Sequence, residues 1–295
     1  MQIPVALLEH IAELAGAALK EEVLLTPKPG LVDCKDQGAH TDMDAALFLI
    51  SIEALQPFFL QYILEGYQSN EAPAKLFQRI REIGKAAECA MFQATKGINT
   101  HKGAQFSLAL ILTSLGYWIR QKQIISLDQL PKLLVMDELF AFVKQLTANL
   151  LEEDLKQMNH PAQTNGERLY VQYGVGGIRE EAHQGFPSLR LLAYPELKRQ
   201  RAMFAHSRQL YLHLLFYLMS HVDDSNVLHR GGLAGLQYVK QTASAFLQNG
   251  GILQESYEAE IVRINQAFID RYLSPGGCAD LLALTIFLHH LYQKG

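Results

Sequence analysis

The sequence predicts an all-α fold, a single domain over residues 1–295 built from about nine or ten helices. Three observations carry that expectation. Apolar residues recur every third or fourth position in one segment after another. No segment alternates apolar and polar residues between turn signals, so neither hairpins nor βαβ units are indicated. Apolar residues make up 49% of the chain and charged residues 19%, enough material for a large core.

Taken in order, the first helix runs from Pro4 to about Leu25, with Leu7, Leu8, Ile11, Leu14, Ala15, Ala18 and Leu19 in helical register. Thr26-Pro-Lys-Pro-Gly30 ends it in a stiff turn. The second helix covers roughly 41–66, with Thr41 at the N-cap and Asp44 at N3 of a capping box. Two more follow over 73–94 and 102–121, separated by Gly97, with Thr100 capping the later one. Similar periodicity covers 137–157, 200–222, 231–249, 253–272 and 277–293, and Ser274-Pro275 reads as the start of the last helix. The polar stretch Asn159–Gly166 is the best internal boundary, but it is too short and mild for an interdomain linker.

Composition removes several function classes. A formal net charge of −4 lacks the basic excess of a nucleic-acid binder. Three cysteines without CxxC spacing suit a reducing compartment better than a disulfide framework. The N-terminal segment lacks a signal-peptide pattern, and the most apolar runs, 108–119 and 210–219, are too short to span a bilayer. The expectation is a soluble cytoplasmic protein with neither nucleic-acid nor membrane partners. There is no GxxxxGK[ST] phosphate loop, Ser-His-Asp elbow, HExxH pair or zinc cysteine cluster.

Four polar stretches stand out against this background, and together they hold the carboxylates, cations and glycines that divalent-metal phosphate chemistry needs. The first places Lys28 on a stiff turn and then Asp33, Asp36, His40, Asp42 and Asp44 within twelve residues. So many acids repel one another unless some are solvated or share a cation; helix capping alone accounts for part of them. The second sets Glu88 among small and apolar neighbours, where a partly buried carboxylate suits a general base or a metal ligand. It continues into Asn99-Thr-His101-Lys102, cations at a helix start that a bound polyphosphate would reconcile with the dipole. The third, Tyr173-Gly-Val-Gly-Gly-Ile-Arg179, offers open backbone amides and a guanidinium fork, although a plain turn explains its glycines equally well. The fourth delivers Asp223 and Asp224 to the C-terminal end of an apolar helix, the negative pole, which a bound Mg²⁺ would reverse. Asp280 is a further carboxylate near the start of the last helix.

The segments TPKPGLVD, GAHTDMD, NTHKG, YGVGGIREEA with GFP behind it, DSN followed by RGG, and SPGGCADLLA occur in this order over residues 26–283. In that combination the chain resembles the triphosphoribosyl-dephospho-CoA synthases of the citrate lyase and malonate decarboxylase systems. The resemblance implies an all-α enzyme using ATP and 3′-dephospho-CoA, which releases adenine and joins the triphosphoribosyl group to the 2′-hydroxyl. It also implies Mg²⁺ as cofactor and hand-over of the product to a holo-acyl-carrier-protein transferase, and leaves room for a homodimer. On this reading Glu88 is the first choice of general base and Asp33 the second, while His101 protonates or hydrogen-bonds the departing adenine. Lys28, His40, Asn99, Lys102, Arg179, Asn226, Arg230, Gly231 and Gly232 hold substrate, and Asp42, Asp44, Asp223, Asp224 and Asp280 are the metal candidates. The chain departs from the family pattern at Cys34, where a basic residue is expected, at Glu180 for glycine and at Ser225 for threonine. Glu180 weakens the case for Arg179 as a phosphate clamp. An alternative activity is Mg-dependent hydrolysis of a nucleotide or ADP-ribosyl compound, with the same acids activating water.

Overall fold

The structure is a computed structural model that describes residues 3–133, 135–152, 154, 162, 164–204 and 206–293. Among the described residues its regular elements are all helices, with no strand. The longer helices are α1 (Val5–Leu24), α2 (Ala45–Gln68), α3 (Pro73–Ala94), α4 (Lys102–Gln121) and, after the short turn α5 (Leu130–Leu133), α6 (Met136–Leu146). The second half holds α7 (Asn165–Tyr173), α8 (Gly177–His183), α9 (Tyr194–Gln200), α10 (Ser207–His221), α11 (Ser225–Gln248), α12 (Tyr257–Ile269) and α13 (Gly276–Gln293). Without α5 that makes twelve helices among the described residues, slightly more than expected. Half of the predicted boundary Asn159–Gly166 lies outside the described residues.

α4 and α13 form the centre. α4 is buried nearly all round, from Ala104 through Leu112 to Ile119, and α13 buries Leu281, Leu282, Ile286, Phe287, Leu288 and Leu291. α2 crosses α4 so closely that Cβ atoms at Gly66 and Gly116 would run into the backbone carbonyls of Thr113 and Ile63. Only glycine permits that approach. α1 fills the angle between α2 and α13, and one continuous apolar cluster extends from Leu7 to Leu291. By length and composition α2 is a helix that could cross a membrane, a longer apolar segment than the runs 108–119 and 210–219. Here its Ile52, Leu55, Phe59, Tyr62 and Ile63 are buried against α1 and α4.

Helix starts moved where local chemistry overrode periodicity. α2 begins at Ala45 with Asp44 itself as N-cap, its Oδ1 accepting from the Leu47 amide at 2.8 Å. The expected Thr41 box does not form. The helix expected over 200–222 is α10 alone, which starts only at Ser207, after α9 has ended at Gln200. α11 starts six residues before the predicted 231 and continues across Gly232, whose φ of 60° kinks it. The last correction matters most. The chain leaves α10 at Val222 and reverses at once, so Asp224 is the N-cap of α11 rather than the end of α10. The carboxylate therefore sits at a positive pole, and the argument that only a cation could relieve it there fails.

Candidate active site

A cavity of about 1260 Å³ opens where the starts of α4, α11 and α13 meet the flanks of α1 and α3 and the loop leading into α8. Thirteen of the seventeen predicted site residues line it: Lys28, His40, Asp42, Glu88, Asn99, His101, Lys102, Arg179, Asp223, Asp224, Asn226, Arg230 and Asp280. The other four, Asp33, Asp44, Gly231 and Gly232, lie elsewhere. Asp33 is buried and accepts from the amides of Lys28, Lys35 and Asp36, so it organises its turn and is not placed as a base. Asp44 caps α2. Gly231 makes room for the Leu273 side chain, and Gly232 supplies the kink.

The floor is a set of buried charges. Lys28, 1% exposed, points its Nζ at the Glu22 carboxylate (2.5 Å) and at the Glu22 carbonyl (2.7 Å). It is thus an internal partner of α1 and not the accessible phosphate ligand expected. Burial pushes the Glu22 carboxyl up, against the pull of Lys28. Asp280, deep in the molecule yet open to the cavity, is pushed well above the usual range by burial, then by Glu22 and Asp224; a hydrogen bond from the Ala104 amide acts the other way. Gly103 is needed beside it, because a Cβ there would collide with the Asp280 carboxylate.

Asp224, 2% exposed, accepts from the amides of Asn226 (2.8 Å), Val227 (3.1 Å) and Cys278 (2.7 Å), and so ties the first turns of α11 and α13 together. Burial raises its pKa despite those bonds. With both oxygens engaged it is a poor metal ligand. Asp223, in contrast, is exposed and paired with Lys240 at 2.6 Å.

His101 occupies the N-cap position of α4 in place of the expected Thr100, whose hydroxyl turns to Ser51 (2.7 Å). Its Nδ1 lies 2.9 Å from Ser51 Oγ, and burial, followed by Lys28, holds the imidazole down at about 3. A group so hard to protonate is a neutral hydrogen-bonding side chain, not an acid. His40 is similar: burial and then Arg230 lower it to about 4. Arg230 donates to His40 Nδ1 (3.1 Å), so His40 Nε2 carries the proton toward Ser274 Oγ (2.9 Å). The same guanidinium donates to the Ala39 carbonyl at 2.8 Å, pinning the loop before α2 over α11.

Along the opposite wall Glu88 is only partly buried and pairs with Lys102 Nζ at 2.5 Å, so the enclosed carboxylate expected from its apolar neighbours is not found. Ala86 and Cys89 prove to be exposed. Arg179 does not pair with the adjacent Glu180, which accepts from the Gly176 amide (3.0 Å) instead. It meets Asp154 (3.3 Å), and Arg81 from α3 reaches the same carboxylate (2.7 Å). Sequence reasoning missed Glu22, Arg81 and Asp154. Glu22 was findable, since it continues the buried stripe Leu8–Ile11–Ala15–Leu19 at the next helical step.

No solved structure matches the chain. Three curated relatives bear the description probable 2-(5″-triphosphoribosyl)-3′-dephosphocoenzyme-A synthase. The one from Streptococcus mutans serotype c is 40% identical over 292 residues, covering 97% of this chain and 98% of its own. Those from Streptococcus equi subsp. zooepidemicus and Streptococcus pyogenes serotype M1 are 42% identical over 298 and 290 residues, with the same coverage. A family model described as ATP:dephospho-CoA triphosphoribosyl transferase matches residues 8–295. The chain belongs to that family.

Proposed function

We propose that this chain transfers the 5-triphosphoribosyl group of ATP to the 2′-hydroxyl of 3′-dephospho-CoA, releasing adenine. The product, 2′-(5″-triphosphoribosyl)-3′-dephospho-CoA, would then pass to a holo-acyl-carrier-protein transferase. The observation that carries the reading is the convergence of thirteen dispersed polar residues on one cavity in a member of this family. At about 1260 Å³ the cavity exceeds the ~300–1,000 Å³ typical of a single small ligand, as two nucleotides require.

In the reaction the bond from adenine N9 to the ribose anomeric carbon breaks, its electron pair leaving with adenine. The acceptor oxygen bonds that carbon, and the hydroxyl proton is lost to a base while adenine gains one, so protons balance. The transition state has oxocarbenium character, which nearby carboxylates stabilise. Glu88, partly exposed on the cavity wall, takes the base role, with Lys102 beside it. Arg81, Arg179 and Lys102 form the wall on which phosphates are held.

Nine Asp and Glu side chains line the cavity against six Lys and Arg, so two polyphosphate substrates entering it need added positive charge. That donor set fits Mg²⁺. Among the described residues no three His, Cys, Asp or Glu form a ready cage, as suits an ion usually held by one or two carboxylates together with substrate phosphates. Asp280 and Asp42 would hold it, with Asp223 at the rim, and it would neutralise phosphate charge there. Nothing in the site favours the hydrolytic alternative.

The test is mass spectrometry of reactions with ATP, Mg²⁺ and 3′-dephospho-CoA. Equimolar adenine and joined product are expected; adenine released equally without the acceptor would overturn the transferase reading. Glu88→Gln should slow turnover about 10²–10⁴-fold. Turnover within a few-fold of wild type would remove Glu88 from the base role.

A further inference from the structure

We propose that His101 is a fixed, uncharged N–H donor for a ring nitrogen of an adenine seated at the cavity floor, and that Ser51 is the positioning residue that sets its tautomer. The proposal rests on the transferase reading and specifies how one of its nucleotides is recognised.

His101 is 3% exposed, lines the cavity, and its Nε2 has no hydrogen-bond partner in the chain. A buried polar atom left unpaired costs about 1–3 kcal/mol, which a ligand atom would recover. The other ring nitrogen is accounted for. Thr100 Oγ1 donates to Ser51 Oγ at 2.7 Å, and Ser51 is fully buried, with His101 Nδ1 2.9 Å away to accept its own proton. Nδ1 is therefore the lone-pair nitrogen and Nε2 bears the hydrogen. Phe48 meets the ring edge-on at 4.9 Å and holds its plane. Burial and the neighbouring ammonium of Lys28 keep the ring uncharged throughout the physiological range.

A single uncharged donor can serve a neutral acceptor or an anion, and the lining decides between them. Phe48 packs on His101, and Leu19, Phe106 and Leu281 line the same cavity; the nearby Lys28 ammonium is taken up by Glu22, while the guanidinium groups that suit phosphates belong to the more exposed wall. A purine presents in-plane nitrogen lone pairs on an apolar body, and matches that environment. Both substrates carry adenine. If the base is that of ATP, the hydrogen bond strengthens as electrons move into the departing ring, and so aids the reaction as well as binding. If it is that of dephospho-CoA, the contact orients the acceptor.

The test pairs enzyme and substrate deletions. On 1-deaza, 3-deaza or 7-deaza ATP, or on 3′-dephospho-CoA carrying the same change, wild-type kcat/KM should fall about 10–100-fold for one analogue. His101→Phe should be slow on the parent substrates and indifferent to that analogue, and His101→Gln, which keeps a donor, should be partly restored. The sensitive substrate identifies which adenine is bound; insensitivity to all six analogues overturns the proposal. ¹⁵N NMR of the histidine rings gives a readout separate from turnover. The resonance absent from His101→Gln should show the Nε2–H tautomer and shift on adding free adenine. Ser51→Ala should scramble it and lower kcat/KM about tenfold with an unchanged pH profile, while Ser51→Thr restores both. A pure Nε2–H signal and full activity in Ser51→Ala would remove the positioning role. If joined product forms normally while the analogues have no effect, only this inference fails; adenine binding by NMR tests it even if no joined product forms.

Discussion

Replacing Lys28 by Met tests the charge arrangement under the cavity. The Lys28 and Glu22 side chains are only 2% and 8% exposed and share one close contact, so the substitution leaves a carboxylate in the interior without its countercharge. Removing one partner of such a pair costs about 3–5 kcal/mol, a large part of a total stability of about 5–15 kcal/mol. At roughly 2–4 °C per kcal/mol, Tm should fall by about 6–20 °C. The loss should also depend on pH. Burial already raises the Glu22 carboxyl, and Lys28 supplies the influences that hold it down. Without the lysine Glu22 binds its proton more tightly in the folded state than in the unfolded one, so acid relieves the strain and alkali does not. The deficit measured by thermal and urea unfolding should therefore be larger at pH 8 than at pH 5.5. Replacing both residues by apolar ones, Glu22→Leu with Lys28→Met, should return stability to within about 2 kcal/mol of wild type. A single variant within 1 kcal/mol of wild type at pH 8, or a double variant equal to the sum of its parts, would refute the buried pair.

Gly103→Ala should separate stability from activity: alanine favours the first turn of α4 by up to about 1 kcal/mol, yet its methyl displaces the Asp280 carboxylate, so melting should hold while turnover drops about 100-fold. Unchanged turnover would show that the position of Asp280 is immaterial. Arg81→Ala should raise KM for a phosphate-bearing substrate about 10–100-fold in steady-state kinetics and leave kcat nearly unchanged, because the contact is the same in ground and transition states. Two buried histidines, His101 and His289, and the partly buried His40 have values of about 3, 4 and 4. Above pH 6.5 they are neutral whether folded or not; between 6.5 and about 4 the unfolded chain takes up protons that the native state refuses. They thus lower stability as pH falls, by at most about 4 kcal/mol per pH unit, opposed by Glu22, Asp224 and Asp280, which hold protons better when folded. His101→Gln should flatten the slope by up to about 1.4 kcal/mol per unit in urea titrations at pH 5, 6 and 7.

Helix periodicity and the order of the polar segments were legible because both are local. What the sequence hid is which helix end a polar residue belongs to. Asp224 reads equally well as the tail of Leu210–Met219 or as the cap of SNVLH, and only the immediate reversal at Val222 decides. Gly231 and Gly232 imitated a helix start, whereas glycine there serves the Leu273 side chain and a kink. Polar residues in step with an apolar stripe were the clearest unused signal. Glu22 follows Leu19 and Ala15 on α1, and Ser51 precedes Leu55 and Phe59 on α2; both prove buried and reach the cavity or a side chain lining it. The meeting of Arg81 and Arg179 on Asp154 joins three distant segments and has no local trace.

The corrected position of Asp224 changes the electrostatic logic of the site. The first turns of α4, α11 and α13 all meet at the cavity, and helix starts are positive. In the protein alone carboxylates rest on them: Asp224 bonded to amides of α11 and α13, and Asp280 beside Gly103 and Ala104. A cavity stripped of those acids would bind polyphosphate more strongly, but the triphosphate passes unchanged from ATP to the joined product. Binding it more tightly would stabilise substrate, transition state and product alike, which lowers KM without raising kcat and delays release. Nine acids against six bases keep that shared attraction modest and leave the discriminating contacts to the groups around the sugar and the base.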